Sequence, residues 1–274
     1  MKSDFLLIGA IAFGIIGITD AAPRAGVGSM GGAGGGMMGG MPNTAKLGGA
    51  MAKIFGEKTT FTADMESKTT GDKAMTIPGR MSFDGGKSRT EIDMAQAKGN
   101  ALPPEMAAQM KAMGMEKMIA ISLPEKKINY IIYPAMEAYV EMDFSEPNSK
   151  TKSEEYKVKT QELGKETLDG RPTIKSKVII SDSSTQVMEA IVWNAPDLKS
   201  FPVKVQQEME GTTITTSFKN VKFDKPAASQ FEPPANFKKH TTIMELMQEM
   251  VMKQMQGAGG MNGMGMPPQK AQKR

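Results

Sequence analysis

Between Thr59 and Phe223 the chain is a succession of short extended segments, each closed by a turn signal, with no strand–helix–strand alternation. A parallel sheet needs helical crossovers, so this pattern leaves antiparallel architectures built from hairpins. Phe61, Ala63 and Met65 alternate with Thr60, Thr62 and Asp64, giving one apolar and one polar face. Further strands are predicted at Met75–Phe83 and Lys87–Met94, with Gly85-Gly86 as the hairpin turn between them. Others follow at Lys117–Leu123, Ile128–Tyr133 and Ala138–Phe144, separated by Pro124-Glu125-Lys126 and Pro134-Ala135-Met136-Glu137. A polar stretch at 145–155 precedes strands at Tyr156–Leu163, Thr173–Ser181, Gln186–Asn194, Val203–Met209 and Thr212–Phe223. In the last of these Ile214, Thr216 and Phe218 share one parity while Val221 and Phe223 sit on the other, which predicts a bulge near Lys219-Asn220. Ten or eleven strands in hairpin order make a sheet large enough to curl (about ten strands is the usual limit for an open sheet).

Three helices accompany this run, one of them interrupting it. One is expected at Ala45–Phe55 and one within 103–116, where Pro103-Pro104 opens a stretch of Ala, Met, Gln and Lys. The last is expected at Ile243–Gln256, with Thr242 and Glu245 at capping-box spacing and a broad apolar face. Segments 118–123, 128–133 and 187–193 are apolar on both parities, so the central strands are expected to be covered on one face and partly covered on the other.

The chemistry available is narrow. The chain has 274 residues, no cysteine and one histidine, which excludes disulfides, thiolate metal sites, a cysteine nucleophile and a multi-histidine zinc site. Net charge is +4 and basic residues alternate with acidic ones, which gives no support for nucleic-acid binding. His240 follows Lys238-Lys239 at the polar start of the last helix and reads as a surface residue. There is no nucleophile elbow; Glu154-Glu155 lies in a charged loop, and the glycines at 31–36 lack the lysine of a phosphate loop. No catalytic residue and no cofactor is assigned, and the chain is read as a non-enzyme.

At the N-terminus Lys2 is followed by an apolar run from Phe5 to Ile18 and by small residues at Thr19 and Ala21. That run is short for a membrane span and fits a signal-peptide core, so export to the periplasm is expected. The alternative is an anchor that stays uncleaved. The organisation expected is a signal peptide at 1–21, a Gly/Met-rich leader at 22–43, a folded domain at 44–256 and a Gly/Met/basic tail at 257–274.

Methionine is unusually abundant, with 27 residues. Met37, Met38 and Met41 in the leader and Met261, Met264 and Met266 in the tail cluster soft thioethers of the kind that select Cu(I) or Ag(I). Met106, Met110 and Met113 fall at helical spacing, and Met247 and Met250 repeat the theme in the last helix. Unbranched and polarizable, these five suit either core packing or an adaptable lid.

Several short motifs occur in a recognisable order. They are Phe61-Thr62-Ala63-Asp64-Met65, Met81-Ser82-Phe83-Asp84-Gly85-Gly86-Lys87-Ser88-Arg89, Tyr130 to Pro134, and Tyr139-Val140-Glu141-Met142. Leu163-Gly164-Lys165-Glu166-Thr167-Leu168-Asp169-Gly170, the Trp193 strand with Asp197-Leu198, Pro202 and Phe231-Glu232-Pro233-Pro234 complete it. This order resembles the LolA/LppX-like superfamily of periplasmic lipoprotein carriers, in its branch of uncharacterised exported domains, over roughly residues 57–238. The resemblance implies an α+β fold: an unclosed, strongly curved antiparallel half-barrel with helices covering its concave face. It also implies an acyl chain or other apolar ligand in that cavity. The expected lining is Phe61, Met65, Met81, Phe83, Ile119, Ile121, Tyr130, Ile132, Val140, Met142, Ile191, Trp193, Val203 and Phe218. Partners of this reading are a lipid or lipidated protein and peripheral contact with a membrane. A methionine-based soft-metal binder and a ligand-free structural envelope protein remain as alternatives.

Overall fold

A computed structural model of the chain describes residues 52–56, 59–71, 74–99, 102–143, 156–181, 186–209 and 211–257. The expected signal peptide, leader and tail, and with them Met37, Met38, Met41, Met261, Met264 and Met266, lie outside these residues, as does most of the helix expected at Ala45–Phe55. The described chain forms one sheet of thirteen strands that does not close on itself. A first meander comprises β2 (Met75–Asp84), β3 (Lys87–Asp93), the two-residue β4 (Lys98–Gly99), β5 (Lys117–Leu123), β6 (Ile128–Tyr133) and β7 (Ala138–Asp143). A second comprises β8 (Lys157–Leu168), β9 (Arg171–Ser181), β10 (Gln186–Ala195), β11 (Phe201–Met209) and β12 (Thr212–Lys222). β1 (Thr60–Thr69) joins them, pairing antiparallel with β2 on one side and β12 on the other. β13 (Lys238–His240) adds to β7 in parallel and closes one edge; β8 forms the other.

Turn chemistry sets the strand ends. Gly85 and Gly86 take φ of 56° and 93°, the left-handed pair that matches the twist of a two-residue hairpin. Three corners share one design. Pro124, Pro134 and Pro196 each open a single 3-10 turn, and the following Lys127, Glu137 and Lys199 sit left-handed at φ of 54°, 49° and 56°. The expected bulge is present: Thr62 pairs with Lys222 and Asp64 with Lys219, and Asn220 between them takes φ of 52° and donates to Asp64 Oδ2 at 2.7 Å. β8 runs to Leu168 rather than stopping at Leu163, because a register shift between Glu162 and Gly164 lets pairing with β9 continue.

The sheet is concave on the face carrying Phe61, Met65, Met81 and Phe83. Phe61 on β1 and Phe201 on β11 are separated by β12, which in a flat sheet places them about 9–10 Å apart. Their ring centroids are 4.8 Å apart, so the side chains converge. Phe55, from a helical turn at 52–55, drops into this hollow with centroids 5.0 Å from Phe61, 5.6 Å from Phe83, 5.9 Å from Phe201 and 5.4 Å from Phe218. The same inner face continues under α1 (Pro104–Ala112), where Met110 packs on Met75, Ile77, Ile92 and Met94. It ends under α2 (Ile243–Gly257), where Leu246 packs on Ile131, Tyr133, Ala138 and Val140. Helices therefore cover the concave face of a half-barrel.

The outer face is partly covered, most of all over the central strands. There the segment 225–237 crosses it and buries Phe231 against Ile121, Leu123 and Ile132, with Phe237 alongside. The carbonyl of Gln230 accepts from Arg89 Nη1 at 3.0 Å and fixes this strap to β3. That explains why β5 and β6 are apolar on both parities; on β10 the outer Trp193 is covered instead by Lys175 and Lys204.

Gly79 marks where two strands pass too closely for a side chain. A Cβ there would lie 2.5 Å from the Glu91 carbonyl oxygen and 3.3 Å from Met65 Cγ. Gly79→Ala is expected to lower stability by about 1–3 kcal/mol, since the obstacle is backbone and has nowhere to relax. Chemical denaturation reads this as a lower midpoint at unchanged slope.

Candidate functional site: a methionine-lined cleft between two helices

Strand register sorts the expected lining residues by face. Phe61 pairs with Phe83, Ala63 with Met81, Met65 with Phe218, and Ile131 with Val140, all on the inner face, where Met142 and Val203 also lie. Ile119, Ile121, Tyr130 and Ile132 alternate to the outer face beneath the strap. Ile191 and Trp193 are outer as well. Trp193 is 3% exposed, with Lys204 Nζ 4.2 Å and Lys175 Nζ 5.0 Å from its ring centroid, and its indole N–H donates to Glu166 Oε2 at 2.8 Å. That hydrogen bond, with Lys175 adding to it, holds the Glu166 carboxyl below the usual carboxylate range. Eight of the fourteen thus share the concave face and six do not. Sequence parity could not separate them, because the central strands are apolar on both sides.

Where the two long helices approach each other they leave a cleft of about 520 Å³. α1 begins at Pro104, whose missing N–H is no loss in a first turn, and is anchored by Met110. It stops at Met113 and Gly114, where φ is 68° and an added Cβ would press on Ala135 Cβ at 3.2 Å. Glycine here lets the Pro134–Met136 turn approach the helix end. α2 begins with its expected cap: Thr242 Oγ1 accepts from the Glu245 N–H at 3.1 Å. The Glu245 carboxylate accepts the Thr241 N–H and hydroxyl, both at 2.9 Å, and these two bonds hold it below the usual carboxylate range.

Four methionines line the cleft: Met113 at the end of α1, Met136 in the turn, and Met247 and Met250 on α2. Leu246 and Ala138 add to its apolar wall, and Glu137, Lys238 and Glu249 contribute charge. Of the five lid methionines, Met113, Met247 and Met250 are therefore brought together here. Met110 is core and Met106 is half-buried on α1.

His240 also lines this cleft, and here the sequence reading needs correcting. It is not a surface residue but 2% exposed, because Lys238–His240 forms β13 and its alternation turns the ring inward. Its Nε2 lies 3.4 Å from Glu249 Oε2 and its Nδ1 3.8 Å from Glu245 Oε1. Among the described residues Nδ1 has no hydrogen-bond partner. A three-residue strand leaves too little pattern to be read from sequence, which is why both β13 and the buried ring were missed. Nearby, Lys238 Nζ binds Glu249 Oε2 at 2.5 Å and Lys239 Nζ binds Glu141 Oε1 at 2.6 Å. Burial pushes the Tyr133 hydroxyl up to about 12, so it stays neutral.

Two other hollows lie elsewhere on the molecule. One of about 550 Å³ lies over the bulge and is lined by Asp64, Arg80, Asn220 and Lys222. One of about 330 Å³ is lined by Arg80, Glu91, Asp93 and Lys117 among others. Among the described residues no three His, Asp or Glu side chains gather to hold a metal, and no helix is long and apolar enough to cross a membrane.

No protein-family model matches the sequence, and no curated protein does. Several solved structures are similar in shape. An uncharacterized conserved protein from Thermus thermophilus is 12% identical, over 70% of this chain and 94% of that one, at a TM-score of 0.41. A LolA superfamily protein from Nitrosomonas europaea is 9% identical over 70% and 97%, at 0.33. A putative outer membrane lipoprotein-sorting protein domain from Vibrio parahaemolyticus is 11% identical over 68% and 95%, also at 0.33.

Proposed function

We propose that the protein is an exported, non-enzymatic binding protein that holds an acyl chain or another flexible apolar ligand between the helices that cover its half-barrel. The observation that carries this reading is the cleft of about 520 Å³ between α1 and α2, walled by four methionines. Its size falls within the range of about 300–1,000 Å³ typical of small-molecule pockets. Thioether side chains are unbranched and adapt to a chain of variable shape, and each buried methylene of such a ligand contributes about 0.8 kcal/mol. Met247 and Met250 lie on a helix whose one fully buried side chain among those described is Leu246, so the wall they form can move.

The test is binding of an uncharged naphthylamine dye, N-phenyl-1-naphthylamine, together with native mass spectrometry of gently purified protein. Dye bound in the wild type and displaced by a fatty acid is the expected result. Replacing Met247 and Met250 together by glutamate is expected to weaken dye binding at least ten-fold, because two carboxylates would have to be desolvated. Replacing both by leucine keeps the apolar volume and should retain binding. Absence of a co-purifying lipid combined with no dye binding overturns the reading.

A further inference from the structure

We propose that the methionine cleft is also a binding site for a soft monovalent cation, Cu(I) or Ag(I), held by His240 Nδ1 and by thioethers from both walls. The carrier reading is not needed for this, although the two ligands would share one cleft.

His240 lines the cleft and is 2% exposed, and among the described residues its Nδ1 has no hydrogen-bond partner. Nε2 faces Glu249 Oε2 at 3.4 Å, whereas the carboxylate oxygen nearest Nδ1, on Glu245, stands back at 3.8 Å. A neutral imidazole has one N–H to offer. Turned to the nearer carboxylate, that N–H leaves the Nδ1 lone pair free. An imidazole held by a carboxylate through one nitrogen, with the other nitrogen open, is the usual state of a metal-ligating histidine. Lys238 Nζ shares Glu249 Oε2, and a carboxylate oxygen has a lone pair for each donor.

The thioethers supply the remaining donors. Met113 at the end of α1 and Met136 in the following turn form one wall, and Met247 and Met250, neighbours on one face of α2, form the other. Leucine would serve an apolar wall equally well; what methionine adds is sulfur. Each sulfur sits on an unbranched, freely rotating stem, so it can swing toward an ion without backbone movement. Thioether and imidazole together suit a soft cation. A hard divalent ion has no seat, because among the described residues no three His, Asp or Glu side chains gather. Charge agrees in sign: Glu137 and Glu249 face Lys238 across the lining, which leaves room for one further positive charge. A bound ion would tie α2 to β13 and to the end of α1.

Silver nitrate in chloride-free buffer, added to the full-length protein carrying 13C-labelled methionine methyls, tests the site. Methyl signals from both walls of the cleft are expected to shift and saturate. Hydrogen-exchange protection of residues 243–257 should rise about ten-fold at free Ag(I) about ten times its Kd, with β1 and β2 unchanged. Replacing Met247 and Met250 together by leucine keeps the apolar volume, so the fold and dye binding should persist while Ag(I) affinity at the cleft falls at least ten-fold. His240→Gln is expected to weaken it as well. Shifts confined to methionines outside the cleft overturn the proposal. So does α2 protection that ignores Ag(I), or a leucine variant that holds Ag(I) in the cleft as tightly as the wild type. Failure of the naphthylamine dye to bind overturns the carrier reading alone and leaves the silver result standing.

Discussion

Phe61→Ala is expected to lower the unfolding free energy by about 3–5 kcal/mol, the range for emptying a large aromatic site in a closed core. Phe61 is fully buried and is ringed by Phe55, Phe83 and Phe201, at centroid distances of 5.0, 5.4 and 4.8 Å. Those partners come from the helical turn at 52–55 and from strands on either side of β1, so no single one can shift to fill the void without losing the others. Phe223, half-buried and in ring contact with Phe201 at 5.9 Å, is the internal control; its truncation should cost clearly less. Urea unfolding followed by tryptophan fluorescence makes the comparison. Equal shifts for the two variants would show that the aromatic cluster is not the centre of the core.

Leu246→Ala has the next largest expected effect, and a different form. Truncating a buried leucine removes about 2–5 kcal/mol from whatever unit depends on it. Leu246 is 2% exposed and seats α2 on Ile131, Tyr133, Ala138 and Val140. Ile243 adds a partly buried contact to the same cluster and Lys238 pairs with Glu249. Met244 and Met252 are 64% and 61% exposed, so Leu246 is the main apolar anchor among the described residues of the helix. The free energy of detaching the helix is smaller than that of unfolding the sheet. The loss is therefore expected as local unfolding, with α2 amides exchanging near their intrinsic rates while the global urea midpoint moves less than in Phe61→Ala. Unchanged exchange in α2 would mean that Leu246 does not hold it.

Most of the sheet was legible because its turns are chemically explicit. Gly85-Gly86 and the proline corners at 124 and 134 fixed where strands end, and the parity change after Phe218 located the bulge near Lys219-Asn220. The boundaries missed have specific reasons. Gly164 looks like a terminator but sits in a bulge, and β4 and β13 are too short to show a period. The site was less legible. Met113, Met247 and Met250 were found through helical spacing, whereas Met136 stands in a turn and has no period to betray it. His240 was misplaced because its neighbours Lys238 and Lys239 suggest solvent, and only pairing with β7 turns its ring inward. For the inner and outer faces of β5 and β6, the deciding information was the strap at 225–237, which lies far along the chain from the strands it covers.

The position of β1 has a consequence for how the molecule assembles. Its two partners differ greatly in cost of approach: β2 follows immediately, while β12 pairs through contacts such as Ser67 with Thr216, separated by 149 residues. Each meander is a string of local hairpins that can zip independently. β1 is the seam between them, and closing it demands the largest loop in the sheet. The hydrophobic hollow around Phe61 comes into being only when that seam closes, since half of its rings belong to each side. Nascent chains would therefore carry two partly formed ribbons with exposed apolar faces until residues beyond Phe218 are made, and the slow step of folding is their union across β1.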